Sequence, residues 1–121
     1  GAIVNIASVA GLAGAPSLSV YAAAKHGVVG FTRSAAAEYA RRGIRVNAVC
    51  PSFTRTRMVD DFVTLHGGKE ADALAELTRG VPMKRVAEVD EVVEVIMFAA
   101  DPKNSFMTGH TLSVDGGIAA V

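Results

Sequence analysis

Three side chains in the first quarter of the sequence could carry out acid–base chemistry together. Ser8 stands where an apolar run, residues 2–7, comes to an end. Tyr21 and Lys25 follow, four residues apart, and on a helix that spacing places them one turn apart on one face. A phenol can pass a proton to or from an oxygen atom, but a free phenol is too weak an acid to do so at neutral pH without a cation beside it. An ammonium one turn away supplies that cation. A serine hydroxyl can hold the reacting oxygen and steady the charge that builds on it. By itself a Tyr and a Lys at this spacing reads equally well as the start of an amphipathic helix with a half-exposed phenol, so the surrounding elements have to decide.

Those elements are legible. Residues 2–7 (A-I-V-N-I-A) form a continuous apolar run rich in β-branched side chains, the pattern of a strand covered on both faces in a parallel sheet. Two glycines and Pro16 make residues 9–16 a loop. Ser17 or Ser19 is placed to cap the helix that follows. That helix is expected over about residues 20–42, its alanines and glycines permitting close packing, with Gly43 terminating it. Residues 44–50 (I-R-V-N-A-V-C) are a second strand, stopped by Pro51. Strand, helix and strand within about fifty residues make a βαβ unit with parallel neighbours. Ser8, the start of the helix and the segment P-S-F-T-R-T after the second strand therefore fall at one edge, the carboxyl ends of the strands, where open α/β sheets bind ligands.

Further along, residues 57–81 are charged, contain Gly67-Gly68 and read as two short helices of a mobile insertion. Val89, Val92, Val93, Ile96, Met97 and Ala100 follow helical spacing, with Asp90 and Glu91 in the first turn, where the helix dipole favours them. Asp101-Pro102 ends that helix, Thr108-Gly109 turns, and residues 110–114 form a third strand closed by Asp115-Gly116-Gly117. The three strands are expected to lie adjacent, parallel and in chain order. The one domain spans residues 1–121, with no repeat or linker.

Bulk properties narrow the function classes. The 121 residues carry zero formal net charge, which argues against a nucleic-acid partner. Residues 1–24 hold no charge, but Asn5, three serines and Pro16 would leave unsatisfied polar groups in lipid, so no membrane span is expected. The single cysteine, Cys50, excludes an intrachain disulfide and fits a reducing, cytoplasmic setting. His26, His66 and His110 are far apart and lack metal-ligand spacing. His26 is expected on a helix surface and His110 at a strand start, while His66, in the insertion, is a candidate substrate contact. Asn5 and Asn47 are expected to be structural. Half the residues are hydrophobic, apolar for a free-standing domain of this size, which suits part of a larger sheet or a subunit of an oligomer.

The motifs together resemble the second half of a short-chain dehydrogenase/reductase. G-A-I-V-N-I-A-S, then Y-A-A-A-K with its Tyr thirteen residues after Ser8, then R-V-N-A-V-C-P, Thr56 and Met58, Pro82 and Arg85, and T-G-H-T-L-S-V-D-G-G run in the family's order across the whole chain. The resemblance implies the C-terminal half of a doubly wound, Rossmann-type α/β domain, with residues 57–81 as the substrate lid. It implies hydride transfer between NAD or NADP and an alcohol or carbonyl substrate. In that reading Tyr21 is the general acid/base, Lys25 stabilises its phenolate and binds the nicotinamide ribose, and Ser8 orients the substrate oxygen. Pro51, Ser52, Thr54 and Thr56, with Tyr21 and Lys25, line the cofactor, and no metal takes part. It also implies a homo-oligomer, a tetramer or dimer, with residues 118–121 near a subunit contact.

The sequence departs from the family pattern at several points. Ser52 replaces a usual Gly and could crowd the nicotinamide unless its backbone avoids the left-handed region. Ala87 and Val89 replace a usual Gly and Pro at a helix start expected to lie far from the chemistry. The Gly-rich phosphate-binding turn and the family's catalytic Asn are not in these residues, and the expectation is that an N-terminal half precedes them. A non-catalytic binding or regulatory member of the same fold, or an inactive structural fragment, are the competing readings.

Overall fold

The computed structural model describes residues 1–121. A three-stranded parallel sheet forms its centre, in the order β1 (Ala2–Ile6), β2 (Arg45–Pro51), β3 (Thr111–Val114). Ala2 pairs with Arg45 and Ile6 with Val49, while Ala48 pairs with Thr111 and Pro51 with Val114. The order and the parallel sense match the sequence expectation. β2 is the central strand, and its residues 46–50 are all buried, which explains its unbroken apolar run.

One helix covers each face. α1 (Ser19–Tyr39) lies on the side to which the even-numbered residues of β2 point. Val46 packs against Ala35 and Ala36, and Ala48 and Cys50 against Val29 and Ala7. The small residues of α1 serve this close approach, whereas Gly27 and Gly30 face open space. α4 (Val89–Ala100) crosses all three strands on the opposite face. Arg45 fixes its carboxyl end by donating to the carbonyls of Ala99 (2.9 Å) and Asp101 (3.1 Å). At its amino end the Glu91 carboxylate accepts from the Glu88 N–H at 2.8 Å and grips Arg85 through both oxygens at 2.7 Å.

Two asparagines have structural roles, as expected. Asn5 donates to Thr32 of α1 at 3.0 Å. Asn47, fully buried, donates to the Met107 carbonyl and accepts from the His110 N–H, both at 2.9 Å, and so pins the entry to β3.

The helix α1 ends at Tyr39, residues 40–42 forming a turn of 3-10 helix, and β3 begins one residue later than expected; a cap and a strand end also differ. Neither Ser17 nor Ser19 caps α1. Ser17 adopts a left-handed φ of 68°, the N-cap position falls on Leu18, and no side chain bonds the free N–H groups there. Pro51 does not stop β2 but is its last residue. The N–H groups of Ala48 and Ser52 point to β3, so position 51 faces the β1 side, where β1 has already ended. A missing N–H costs no ladder bond there.

Candidate active site

The carboxyl edge of the sheet gathers three segments. Ser8 leaves β1 in extended conformation, and its Oγ accepts from the Ala10 N–H at 3.1 Å, capping a single turn of 3-10 helix over Val9–Gly11. That bond occupies an oxygen lone pair and leaves the hydroxyl proton free to donate. The Cys50 thiol lies against the Ser8 backbone N–H, and burial pushes the thiol pKa up. The cysteine is therefore a buried apolar group rather than a nucleophile.

Tyr21 and Lys25 occupy the first two turns of α1. The Lys25 Nζ stands 5.6 Å from the centroid of the Tyr21 ring. It also lies 3.5 Å from the carbonyl oxygen of Ile6, the last residue of β1. One ammonium thus reaches from the helix to the strand end, two residues before Ser8. The Tyr21 ring is open to solvent, at 41% exposure. The structure therefore brings Ser8, Tyr21 and Lys25 to one edge of the sheet, with Ser8 buried and the Tyr21 residue open to solvent.

The third segment leaves β2. The Ser52 N–H donates to the Val114 carbonyl at 3.0 Å, and the Thr54 hydroxyl donates to the Ser52 carbonyl at 3.2 Å. Thr54 pairs with Ala87 in an isolated parallel bridge, in which Arg55 N–H donates to Ala87 (2.8 Å) and Ala87 N–H to Phe53 (2.9 Å). Ala87 is thus not remote from the segment expected to line the cofactor. Its backbone holds the segment 51–56 in place, and a long-range backbone bridge of this kind leaves no mark in a sequence. Thr56 sits at the N-cap of α2 (Arg57–Leu65), but its hydroxyl makes no capping bond and remains available to a ligand. Ser52 does not take a left-handed φ, so replacing Gly strains nothing. Its Oγ is buried and has no partner. The open Thr56 hydroxyl and the Lys25 ammonium are polar groups of the kind that a polar cofactor needs.

Residues 57–81 form the expected pair of short helices, α2 and α3 (Glu70–Leu77), joined through Gly67 and Gly68, both at φ 74°. Arg55 ties this hairpin to the site segment through Glu70 at 2.6 Å. The Nε2 of His66 meets Glu76 at 2.8 Å and its Nδ1 faces the Phe62 carbonyl at 3.1 Å, so it joins α2 to α3. His26 bonds the Ala22 carbonyl within α1. No group of three or more His, Cys, Asp or Glu could hold a metal ion. Two concavities, of about 110 and 310 Å³, are lined by residues of 52–55, α3 with Thr78, 83–91 and 114–116, and neither touches Ser8, Tyr21 or Lys25. The candidate site is instead an open edge. No helix is long and apolar enough to cross a membrane.

Comparison with known proteins agrees with this fold. A family model described as enoyl-(acyl carrier protein) reductase matches residues 1–119. A cis-4-hydroxycyclohexanecarboxylate dehydrogenase of Sinomonas cyclohexanicum is 46% identical over 121 residues, covering 100% of this chain and 46% of that protein. An uncharacterised short-chain type dehydrogenase/reductase of Sinorhizobium fredii is 46% identical over 120 residues, covering 99% of this chain and 21% of that protein. Among solved structures, ElxO with NADP bound superposes with a TM-score of 0.91 at 36% identity, covering 100% of this chain and 47% of that one. The chain spans about half the length, or less, of the curated relatives it matches.

Proposed function

We propose that this chain, which belongs to the short-chain dehydrogenase/reductase family, is the part of an NAD(P)-dependent oxidoreductase that carries the acid–base residues and the nicotinamide end of the cofactor site. When bound, the nicotinamide supplies or accepts the hydride. The protein's own task is the proton. In reduction the Tyr21 hydroxyl gives its proton to the carbonyl oxygen of the substrate, and in oxidation the phenolate takes the alcohol proton back. Lys25 stabilises the phenolate and binds the nicotinamide ribose. The Ser8 hydroxyl, its oxygen already engaged by Ala10, donates to the substrate oxygen and opposes the charge that builds there. Pro51, Ser52, Thr54 and Thr56 line the cofactor.

The observation that carries this reading is the double reach of Lys25, to the Tyr21 ring and to the Ile6 carbonyl, which sets all three groups at one strand end. Residues 1–121 account for the nicotinamide half of a Rossmann-type domain. We assign the phosphate-binding half to sequence outside them, because the matched relatives are about twice as long or longer. The α2–α3 hairpin serves as the substrate lid. Met58 and Leu65 are exposed on it, which suits an alcohol or carbonyl compound with an apolar body. The lone buried cysteine supports a reducing, cytoplasmic setting, and the exposed apolar side chains support a homo-oligomer, a tetramer or dimer.

The test is oxidation of NADPH and NADH by the complete protein against a panel of ketones and aldehydes, with the reverse reaction on the matching alcohols. Turnover that needs Tyr21 supports the reading. Cofactor binding with no turnover on any member of the panel turns it to a non-catalytic binding protein.

A further inference from the structure

Arg55 stands between two carboxylates that belong to different parts of the fold. Its Nη2 meets Oε1 of Glu70, the first residue of α3, at 2.6 Å, and its Nε lies 3.9 Å from Oε1 of Glu88, the residue before α4. The second contact is about 1 Å longer than a hydrogen bond. Glu70 first, then Glu88 and Asp60 of α2, hold the guanidinium pKa above its usual value. The backbone of Arg55 is fixed, because its N–H donates to the Ala87 carbonyl at 2.8 Å. The long side chain is the movable part.

Two features make this a choice between partners. Each carboxylate is exposed and stands at the amino end of a helix, Glu70 in the first turn of α3 and Glu88 at the N-cap of α4, where water and the helix dipole support it without a cation. Either pairing therefore leaves no charge stranded. A concavity of about 310 Å³ separates α3, at Ala71, Leu74 and Ala75, from the segment that ends in Glu88, with Arg55 on its wall. The hairpin thus has room to move against that segment. We propose that Arg55 is a two-position latch for the α2–α3 hairpin. Paired with Glu70 it holds α3 to the segment 51–56, and paired with Glu88 it lets α3 go. Arg55 lies between Thr54 and Thr56, so the latch joins the hairpin to the part of the chain assigned to the cofactor. The use of the latch in turnover rests on the lid reading given above and deepens it.

The experiment follows hydrogen exchange of residues 70–77 in the complete, ligand-free protein. Glu70→Gln and Glu88→Gln are compared with the wild type, each also in an Arg55→Gln background, with circular dichroism to verify folding. Two static ion pairs would both stabilise, so either substitution would speed exchange. A latch with two acceptors responds in opposite senses. Glu70→Gln should speed exchange by up to about fivefold, and Glu88→Gln, which removes the competing partner, should slow it about twofold. Neither should act once Arg55 is gone. Shifts in the same sense, no shift in either variant, or shifts that persist without Arg55 overturn the latch and leave the lid reading in place. Opposite shifts in a protein whose hairpin is not slowed by NAD(P)H with a carbonyl substrate support the latch and overturn the lid.

Discussion

Gly11 presses so closely on Lys25 that a Cβ built on it would stand 2.7 Å from the Lys25 carbonyl oxygen and 3.2 Å from Val29 Cγ2. The near neighbour is backbone inside a helix and cannot swing aside. This contact docks the turn that carries Ser8 onto the helix that carries Tyr21 and Lys25, so it sets the spacing of the site. Gly11→Ala should therefore push the turn outward, destabilise the protein by about 1–3 kcal/mol and lower turnover more than it weakens cofactor binding. Thermal melting and steady-state kinetics check this. Wild-type values for both would show that the contact does not fix the site.

Removing the phenol should separate chemistry from binding. In the complete protein Tyr21→Phe keeps the ring and its place near Lys25 but deletes the proton. Turnover should fall at least about a hundredfold, with NAD(P)H affinity close to wild type by calorimetry. Lys25→Ala should lose both, because the ammonium serves both. Appreciable turnover in Tyr21→Phe would mean that another group moves the proton.

The scaffold of this site was readable in the sequence, and its fastenings were not. The parallel pairing of β1 with β2, the two covering helices and the α2–α3 hairpin follow from periodicity and turn residues, which are local signals, while the place of β3 follows from the resemblance. The contacts that fail to show are between distant side chains or use ordinary backbone. Nothing about Arg45 announces that it will bond the carbonyl of Ala99, or about Ala87 that its backbone will bridge Thr54. His66 could be placed in the lid but not oriented, because its choice of Glu76 depends on how the Gly67-Gly68 turn folds α3 back. Ser17 misled as a cap because its left-handed backbone moves the N-cap one residue on. The Ser52 departure was visible, and only the structure showed the hydroxyl to be orphaned.

Acid should release the clamp at the start of α4. The Arg85 guanidinium, with help from the Glu88 N–H, holds the Glu91 carboxyl at a pKa of about 2, down from 4.5. A carboxylate whose pKa is lowered by folding stabilises the fold above its unfolded value and loses that contribution as pH falls through the folded value. Glu91→Gln should thus melt lower than wild type at pH 7, by a few degrees at most because the pair is exposed. The gap should close between about pH 4.5 and 2. Melting curves across that range decide it, and a gap independent of pH would assign the loss to packing.

The α2–α3 hairpin should exchange amide hydrogens faster than α4 in the absence of ligand, and slow down when cofactor and substrate bind, as a lid must. Exposed polar contacts hold the hairpin, the Arg55–Glu70 ion pair at 2.6 Å and the His66–Glu76 hydrogen bond at 2.8 Å, whereas α4 lies across the whole sheet. Glu76→Gln should speed exchange in residues 57–77 by up to about fivefold and leave residues 89–100 unaffected. Equal protection of the two regions without ligand would contradict the role of a lid.

The rest of the domain and assembly together should bury what residues 1–121 leave open. Met97 and Phe98 on α4 are 62% and 55% exposed, Phe106 is fully exposed, and Val121 at the end of the chain is 91% exposed. Apolar side chains clustered on one helix and the loop after it are costly in water and are the usual material of subunit contacts. Twofold symmetry would let the same helix meet its own copy, so that each exposed aromatic is used twice. The complete protein should therefore run as a tetramer, or a dimer, in light scattering coupled to size exclusion. Phe98→Asp should reduce the assembly by at least one twofold step while circular dichroism stays unchanged, because the side chain points away from the sheet and its loss leaves the core intact. A monodisperse monomer of the wild type would reject the oligomer. A Phe98→Asp variant that keeps the wild-type mass would move the contact away from α4, towards Phe106 and residues 118–121.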